Sequence, residues 1–408
     1  MPPRKFADSN PGMPAVPARP KIPRTVWVLG FVSLLMDLSS EIYHALLPAF
    51  VTLTLGLPVI ALGAIDGVAE ATASFGKLIS GRLSDRSRRR KPWIMAGYGL
   101  AALSKPLFPI AQGAFELMAA RFADRVGKGI RGSPRDAMIA DETPPEMRGR
   151  AFGLRQALDT VGALMAPLLA VALMAWLAGN IRLVFWIAAI PAALSFLLSW
   201  LVLRESARPS FQPSTSPLFR GFRDIDPATR RLILVGFLFT LARFSEGFLI
   251  LKGMDAGISG TLSPLVLVVF NLGFLVLAYP AGALSDRASP RLILIAGMAV
   301  LVAADLLLAF TSGIAPLIIG VLLWGAHMAL TQGIFARMIA DSAPEHLRAS
   351  SFGAFYFASG IASLLANLAA GRLWDRGGAE ATFVAGAAVA AAAVMMLTLL
   401  PEKAATSA

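Results

Sequence analysis

The chain has 408 residues, of which 56% are apolar and only 15% charged, and its mean hydropathy is +0.67. That balance excludes an ordinary soluble domain, whose helices keep polar outer faces. The net charge of +12 would suggest a nucleic-acid partner in a soluble protein, but here the excess sits in connecting segments, so no such partner is expected. The absence of cysteine excludes disulfides and thiolate metal sites.

Residues 1–24 form a Pro-rich basic arm (Arg4, Lys5, Arg19, Lys21, Arg24) without the apolar run of a cleavable signal. Twelve spans are then predicted, at 25–50, 58–83, 92–111, 114–140, 150–178, 181–203, 230–257, 261–284, 290–311, 314–340, 350–373 and 380–400. Three uncharged runs carry this most directly: 183–203, 260–285 and 382–401. Each reaches the ~20 residues that cross the hydrocarbon core as a helix. Helices rather than a barrel follow from those lengths and the Ala/Leu/Gly content, because backbone groups in lipid must be bonded within the segment. The fold class is therefore all-α integral membrane, with a six-helix bundle over 25–203, a linker at 204–229 rich in Pro and Ser, a second bundle over 230–400, and a tail at 401–408.

Basic residues at 86–91, 148–150 and 204–231 fall on one side of this scheme, whereas loops 55–58 and 111–113 opposite are almost uncharged. The positive-inside bias places both termini and the linker in the cytoplasm, with the chain in the cytoplasmic (inner) membrane.

The two halves repeat one another. Gly81-Arg82-Leu83-Ser84-Asp85-Arg86 returns as Gly282-Ala283-Leu284-Ser285-Asp286-Arg287, and Met138-Ile139-Ala140-Asp141 returns as Met338-Ile339-Ala340-Asp341. The second signature keeps its tail, Pro144, Arg148, Phe152 and Gly153 being answered by Pro344, Arg348, Phe352 and Gly353. A constant offset of about 200 residues marks a duplicated unit, the construction of secondary transporters that rock two bundles about a central site.

Charges inside spans locate the working interior, because each costs about 2.5–3.5 kcal/mol at mid-bilayer even on the lenient insertion scale. Asp37, Glu41 and His44 share one face of the first span by their i, i+4, i+7 spacing. The second span holds Asp66, Glu70 and Lys77; the fourth a stripe of Arg121, Arg125, Lys128, Arg131 and Arg135 beside Asp124 and Asp136; the seventh Arg243 and Glu246; the tenth His327 and Gln332. Lys77–Glu70 and Arg243–Glu246 are candidate structural ion pairs. Arg131, Arg135 and Asp136 lie where they would snorkel or gate, and Lys105, Asp159 and Asp305 are isolated residues expected to pair between helices. Only three histidines occur, and His44 and His327 both fall within spans, where imidazole suits proton exchange or metal ligation.

The segment Gly81 to Arg90 resembles the signature loop between helices two and three of the major facilitator superfamily, and Asp286-Arg287 repeats it between helices eight and nine. Pro144 to Gly153 is similar to that family's loop between helices four and five. The resemblance covers residues 25–400 and implies two pseudo-symmetric six-helix bundles, alternating access, and a cavity lined by helices one, four, seven and ten. It assigns gating to Gly81, Asp85, Arg86 and Arg148 and to Gly282, Asp286, Arg287 and Arg348. The helix-five run from Gly162 to Ala170, with Pro167, resembles the Gly-Pro motif of proton-driven exporters, with Ala166 and Ala170 where glycines are usual. Arg121 matches the helix-four arginine, but Arg125-Val126-Gly127-Lys128-Gly129 does not reproduce the Gln-Gly spacing that follows it in the family.

A proton-coupled carrier of a small molecule is the leading expectation, with efflux favoured. Asp37, Glu41, His44, Asp66, Glu70, Arg121, Arg125, Arg243, Glu246 and His327 are its substrate- and proton-binding candidates. A divalent-metal carrier using Asp37, Glu41 and His44 is the alternative, and a non-transporting membrane sensor a minor one. No cofactor is expected. No enzyme motif is present: Gly76-Lys77-Leu78 lacks the glycine spacing of a nucleotide loop. The partners expected are substrate, protons and lipid, and a monomer suffices.

Overall fold

The computed structural model describes residues 22–399 apart from 86, 88, 145–146, 206–224, 286–287 and 343–347. Among the helical residues, the side chains of 82, 85, 148–149, 278–279, 282–285, 332–333, 336–337, 340–341 and 348–350 also lie outside it.

The described chain is helical from end to end. The first bundle contains α1 (Arg24–Ala49, running on as a π-helical turn Phe50–Thr54), α2 (Val59–Asp85), α3 (Lys91–Ser104), α4 (Leu107–Ile110), α5 (Ala114–Glu142), α6 (Arg148–Trp176) and α7 (Ile181–Leu201). The second contains α8 (Pro227–Ala242), α9 (Gly247–Asp255), α10 (Leu265–Ser285), α11 (Pro290–Phe310), α12 (Ile314–Ser342) and α13 (Arg348–Leu399). Starts follow local chemistry. Asn180 and Asp226 cap α7 and α8 by accepting from Leu183 N and Ala228 N, and Pro92, Pro227 and Pro290 occupy first turns, where no N–H is needed.

Three interruptions matter. Lys105-Pro106 separates α3 from α4, residues 243–246 separate α8 from α9, and Gly378 breaks α13 at φ 67°, ψ −163°, a conformation that needs glycine. With the first two read as interrupted spans and α13 as two, the arrangement is consistent with twelve crossings. Eight helical stretches among the described residues are individually long and apolar enough to cross a bilayer. α5 is not among them, because its basic stripe lowers its hydropathy. On α7, Leu183, Trp186, Ile190, Leu194 and Leu197 form an exposed stripe at helical spacing. Such a stripe is disfavoured in water and neutral against lipid.

Within the first bundle α1 packs on α6 and α7, α2 on α5, and α3 on α5 and α7; within the second, α8 packs on α13, α10 on α12, and α11 on α12 and α13. The bundles meet through α2 with α13, α1 with α9, and α6 with α10. Glycines set the closest approaches. A Cβ at Gly76 would lie 2.8 Å from Gly129 Cα on α5, and one at Gly63 would lie within collision distance of the Asn367 carbonyl on α13.

The two signatures of the first half come together at the basic end. Arg90 Nε donates to Asp141 Oδ2 at 2.8 Å, so the loop after α2 is tied to the end of α5. Glu205 accepts from the backbone N–H groups of Arg90 and Lys91 (2.5 and 3.1 Å), capping α3, while Lys91 Nζ donates to Leu203 O at 2.6 Å. The corresponding second-half residues Gly282, Asp286, Arg287 and Arg348 fall outside the described side chains, as do those of Asp85, Arg86 and Arg148.

Candidate functional site

Between the bundles lies a cavity of about 650 Å³, within the range of small-ligand sites. A second void of about 370 Å³ shares Glu41, Lys77, Lys128, Phe270, Asn271 and Met328 with it, and continues past Arg131, Arg135 and Arg155 toward the basic end. At the opposite end the two bundles are in direct contact. There the Asp375 carboxylate of α13 accepts from Val59 N (2.8 Å) and Ile60 N (2.9 Å), capping α2 across the bundle interface, and a Cβ at Gly371 would lie 2.7 Å from Ile60 Cα.

α5 supplies the cations. Its i, i+4 spacing puts Arg121, Arg125 and Lys128 on one face toward α2, whose Asp66 and Glu70 repeat at the same interval. Arg121 Nη2 lies 3.3 Å from Asp66 Oδ1, and Arg125 Nη1 lies 3.7 Å from Glu70 Oε1. These contacts leave donors over: Arg121 Nε and Nη1 and Arg125 Nε are buried with no hydrogen-bond partner. Behind them, Lys105 and Asp124 form a fully buried pair at 2.9 Å, with Lys105 also donating to Ser40 Oγ at 2.9 Å. Nearer the basic end, Arg135 and Arg155 share Asp136, and Arg155 also pairs with Asp159 at 3.1 Å.

The α8–α9 interruption is where the second bundle reaches the first. Breaking a helix exposes N–H groups that a membrane interior cannot hydrate. Ser245 N donates to Asn367 Oδ1 at 2.8 Å and Gly247 N to Ser245 Oγ at 3.1 Å, while Ser245 Oγ donates to Asp66 Oδ2 at 2.6 Å. One chain of bonds thus runs from Arg121 through Asp66 and Ser245 to Asn367, crossing from α5 to α13.

The sequence candidates distribute unevenly around this centre. Glu41, His44, Asp66, Glu70, Arg121, Arg125, Arg243 and Glu246 line the main cavity, whereas Asp37 lines only the second void. His44 Nδ1 lies 3.4 Å from Glu41 Oε2. His327 does not line the cavity. It is fully buried, edge-on to Trp324 at 4.7 Å and Phe239 at 6.2 Å, with neither ring nitrogen bonded. The expected structural pairs also differ. Glu70 faces Arg125 rather than Lys77, and Arg243, instead of pairing with Glu246, reaches Met328 Sδ at 3.0 Å and the Phe239 ring. Helix-five Gly162 serves close packing, since a Cβ there would lie 2.8 Å from Leu34 O of α1, and Pro167 sits within α6. Among the described residues no group of three or more His, Asp or Glu is arranged to hold a metal ion, so the metal-carrier alternative gains no support. Sequence reading missed Ser245, Asn367 and Asp375, polar residues whose partners include segments far away in sequence.

Electrostatically the space is basic. The main cavity has Glu41, Asp66, Glu70 and Glu246 against Lys77, Arg121, Arg125, Lys128 and Arg243; the second void adds Asp37 and Asp159 against Arg131, Arg135 and Arg155. Lys77 and Lys128 form no ion pair among the described residues. A low-dielectric space with surplus cations and unspent guanidinium donors is suited to an anion.

The family model described as Major Facilitator Superfamily matches residues 29–252 and 232–408. An uncharacterized MFS-type transporter of Methanocaldococcus jannaschii is 29% identical over 387 residues, covering 93% of this chain and 96% of its own. A probable 4-methylmuconolactone transporter of Cupriavidus pinatubonensis is 30% identical over 203 residues, 48% of this chain and 47% of its own. Among solved structures, a POT family transporter in complex with 5-aminolevulinic acid superimposes with a TM-score of 0.78 at 14% identity, covering 92% of this chain and 96% of that one. The nucleoside transporter NupG gives 0.75 at 12%, covering 92% and 98%. The fold, the duplicated signatures and these likenesses agree: this chain is a multi-pass membrane transporter and belongs to the Major Facilitator Superfamily.

Proposed function

We propose that this protein is a proton-coupled carrier of a small organic anion, working by alternating access between its two bundles. The observation that carries the reading is the pair of α5 guanidinium groups, one turn apart at the cavity wall, with Arg121 Nε and Nη1 buried and unbonded. A carboxylate or similar oxyanion would take those donors in the paired geometry that guanidinium favours. The probable 4-methylmuconolactone transporter of Cupriavidus pinatubonensis is in keeping with a small organic solute.

Glu41, paired with His44 and lining both voids, is the proton carrier of the first bundle in this scheme. Export is the direction that the Gly162–Pro167 resemblance supports. The basic end and both termini face the cytoplasm, so a cavity continuing toward that end corresponds to the inward-facing state. Domain limits at 25–203 and 230–400 go with the same proposal, as does gating by the loop residues Gly81, Asp85, Arg86 and Arg148 with their second-half counterparts.

Binding to purified protein tests the cargo class. A panel of carboxylates, phosphate esters, neutral solutes and organic cations is titrated against the wild type and Arg121→Gln. Saturable binding of an anion that Arg121→Gln weakens by about tenfold or more, the loss of one charged hydrogen bond, supports the proposal. Selective binding of a cation or neutral solute contradicts it.

A further inference from the structure

Asp305 is the one charged residue in the membrane-embedded middle of α11, and it is fully buried outside the cavity. Its Oδ1 accepts from Trp324 Nε1 at 2.8 Å; its Oδ2 has no partner. A Cβ placed on Gly386 of α13 would lie 2.7 Å from that Oδ2 and 3.2 Å from the carbonyl of Ala242. Glycine at 386 therefore keeps open a space bordered by both the free carboxyl oxygen and the last carbonyl of α8. That carbonyl ends a helix at the α8–α9 break, with no following turn to bond it.

The surroundings hold little that could neutralise a charge. On α12 the nearby titratable group is His327, edge-on to the same Trp324, and at the break they are Arg243 and Glu246. Arg337 and Asp341 lie about 15 Å or more further along α12 at 1.5 Å per residue. The last stretch of α13 (381–399) and all of α10 carry no charged residue, and α8 carries only Arg230 and Arg231 near its start. Asp305 makes no ion pair among the described residues. An unpaired carboxylate with a single hydrogen bond is costly in this setting, whereas a carboxylic acid needs only one acceptor for its O–H. The Ala242 carbonyl borders the same space beside Gly386 and can be that acceptor.

We propose that Asp305 is a proton-binding site of the second bundle, whose protonated form donates to the Ala242 carbonyl and so fastens α11 to the break in α8–α9. Release of the proton frees the end of α8, three residues from the Ser245–Asp66 bond that joins the bundles. The site lies apart from the anion cavity and from Glu41. Its role in coupling rests on the proposed proton-driven transport, but its occupancy by a proton does not.

Infrared difference spectroscopy of the reconstituted full chain, titrated with pH in the absence of any organic solute, reads the acid directly. The expected result is a carboxylic-acid carbonyl band that disappears as pH rises, is lost in Asp305→Asn, and is shifted in Gly386→Ala, which crowds the free oxygen without removing the acid. The Gly386→Ala spectrum keeps the test intact if Asp305→Asn does not fold. A band unchanged in both variants, or no titrating band, overturns the site. Loss of the wild-type band on adding sodium but not potassium at fixed pH also overturns it, by making the carboxylate a sodium ligand. Because no solute is present, the wrong cargo class leaves this readout untouched. In proteoliposomes Asp305→Asn is then expected to exchange solute while losing its response to a pH gradient, and a fully retained response overturns the coupling role alone.

Discussion

Replacing Lys105 by methionine is expected to destabilise the protein more than removing the whole Lys105–Asp124 pair. The two groups sit 2.9 Å apart on the segment after α3 and on α5, with side chains 0% and 2% exposed. Breaking one half of a buried pair costs about 3–5 kcal/mol, because the survivor stays desolvated without its counter-charge. In Lys105→Met the stranded Asp124 still has Arg125 Nε at 3.6 Å, which places the cost near the lower limit, about 3 kcal/mol. In Asp124→Leu the stranded ammonium keeps Ser40 Oγ and the faces of the Tyr43 and Phe108 rings, at 4.8 and 5.8 Å, but no anion, so the cost approaches about 5 kcal/mol. The double variant strands neither member of the pair and falls between neutral and about 4 kcal/mol more stable than the wild type. Equilibrium unfolding of the four proteins in one detergent gives the cycle. Single variants within about 1 kcal/mol of the wild type, or a double variant equal to the sum of the singles, would refute the reasoning, since additivity belongs to groups that do not interact.

Asp375→Asn leaves one side-chain oxygen to cap two N–H groups and removes the charge at the α2 N-terminus. Losing a charge-assisted bond of about 1.5–3 kcal/mol should favour opening of that end by about tenfold or more, read as a longer distance between spin labels at Leu57 and Arg376 of this cysteine-free chain. Gly63→Ala drives a methyl into the Asn367 carbonyl and should separate α2 from α13, lowering folded yield. Gly153→Ala, with nothing within 4 Å and an exposed helical site, should be neutral or more stable by about 0.5–1 kcal/mol in the same unfolding assay. Asn367→Ala leaves the buried Ser245 N–H at the cavity wall without its acceptor, a loss of about 1–3 kcal/mol that should be read as faster hydrogen exchange at the α8–α9 break.

Much of this architecture was readable from the chain because its signals are local. Uncharged runs of spanning length needed no partner to be recognised, and the i, i+4 stripe from Arg121 to Lys128 fixes one helix face by geometry alone. The repeated signatures announced two bundles before any packing was known. What stayed hidden depends on contacts between distant segments. Glu70 sits one turn pair from Lys77 in sequence, yet its cation is Arg125 of another helix, because the Gly76–Gly129 approach sets the rotation of α2 against α5. Span seven reads as continuous from 230 to 257, and its break at 243–246 is held by Asn367 and Asp66, far away in sequence. His327 shows the limit of composition: a histidine inside a span suggests a working group, but the turn of α12 that carries it faces Trp324 and Phe239 rather than the cavity. Asp305, by contrast, looked like an ordinary pairing residue, and only the space at Gly386 reveals its free oxygen.

Proton flux in proteoliposomes loaded with a pH-sensitive dye tests the central claim most directly, with organic anions, organic cations, neutral solutes and divalent metals added in turn. An anion is expected to evoke proton movement that is abolished in Arg121→Gln and reduced in Glu41→Gln. Proton movement evoked by a cation or a metal, or anion movement with no accompanying proton, would contradict it.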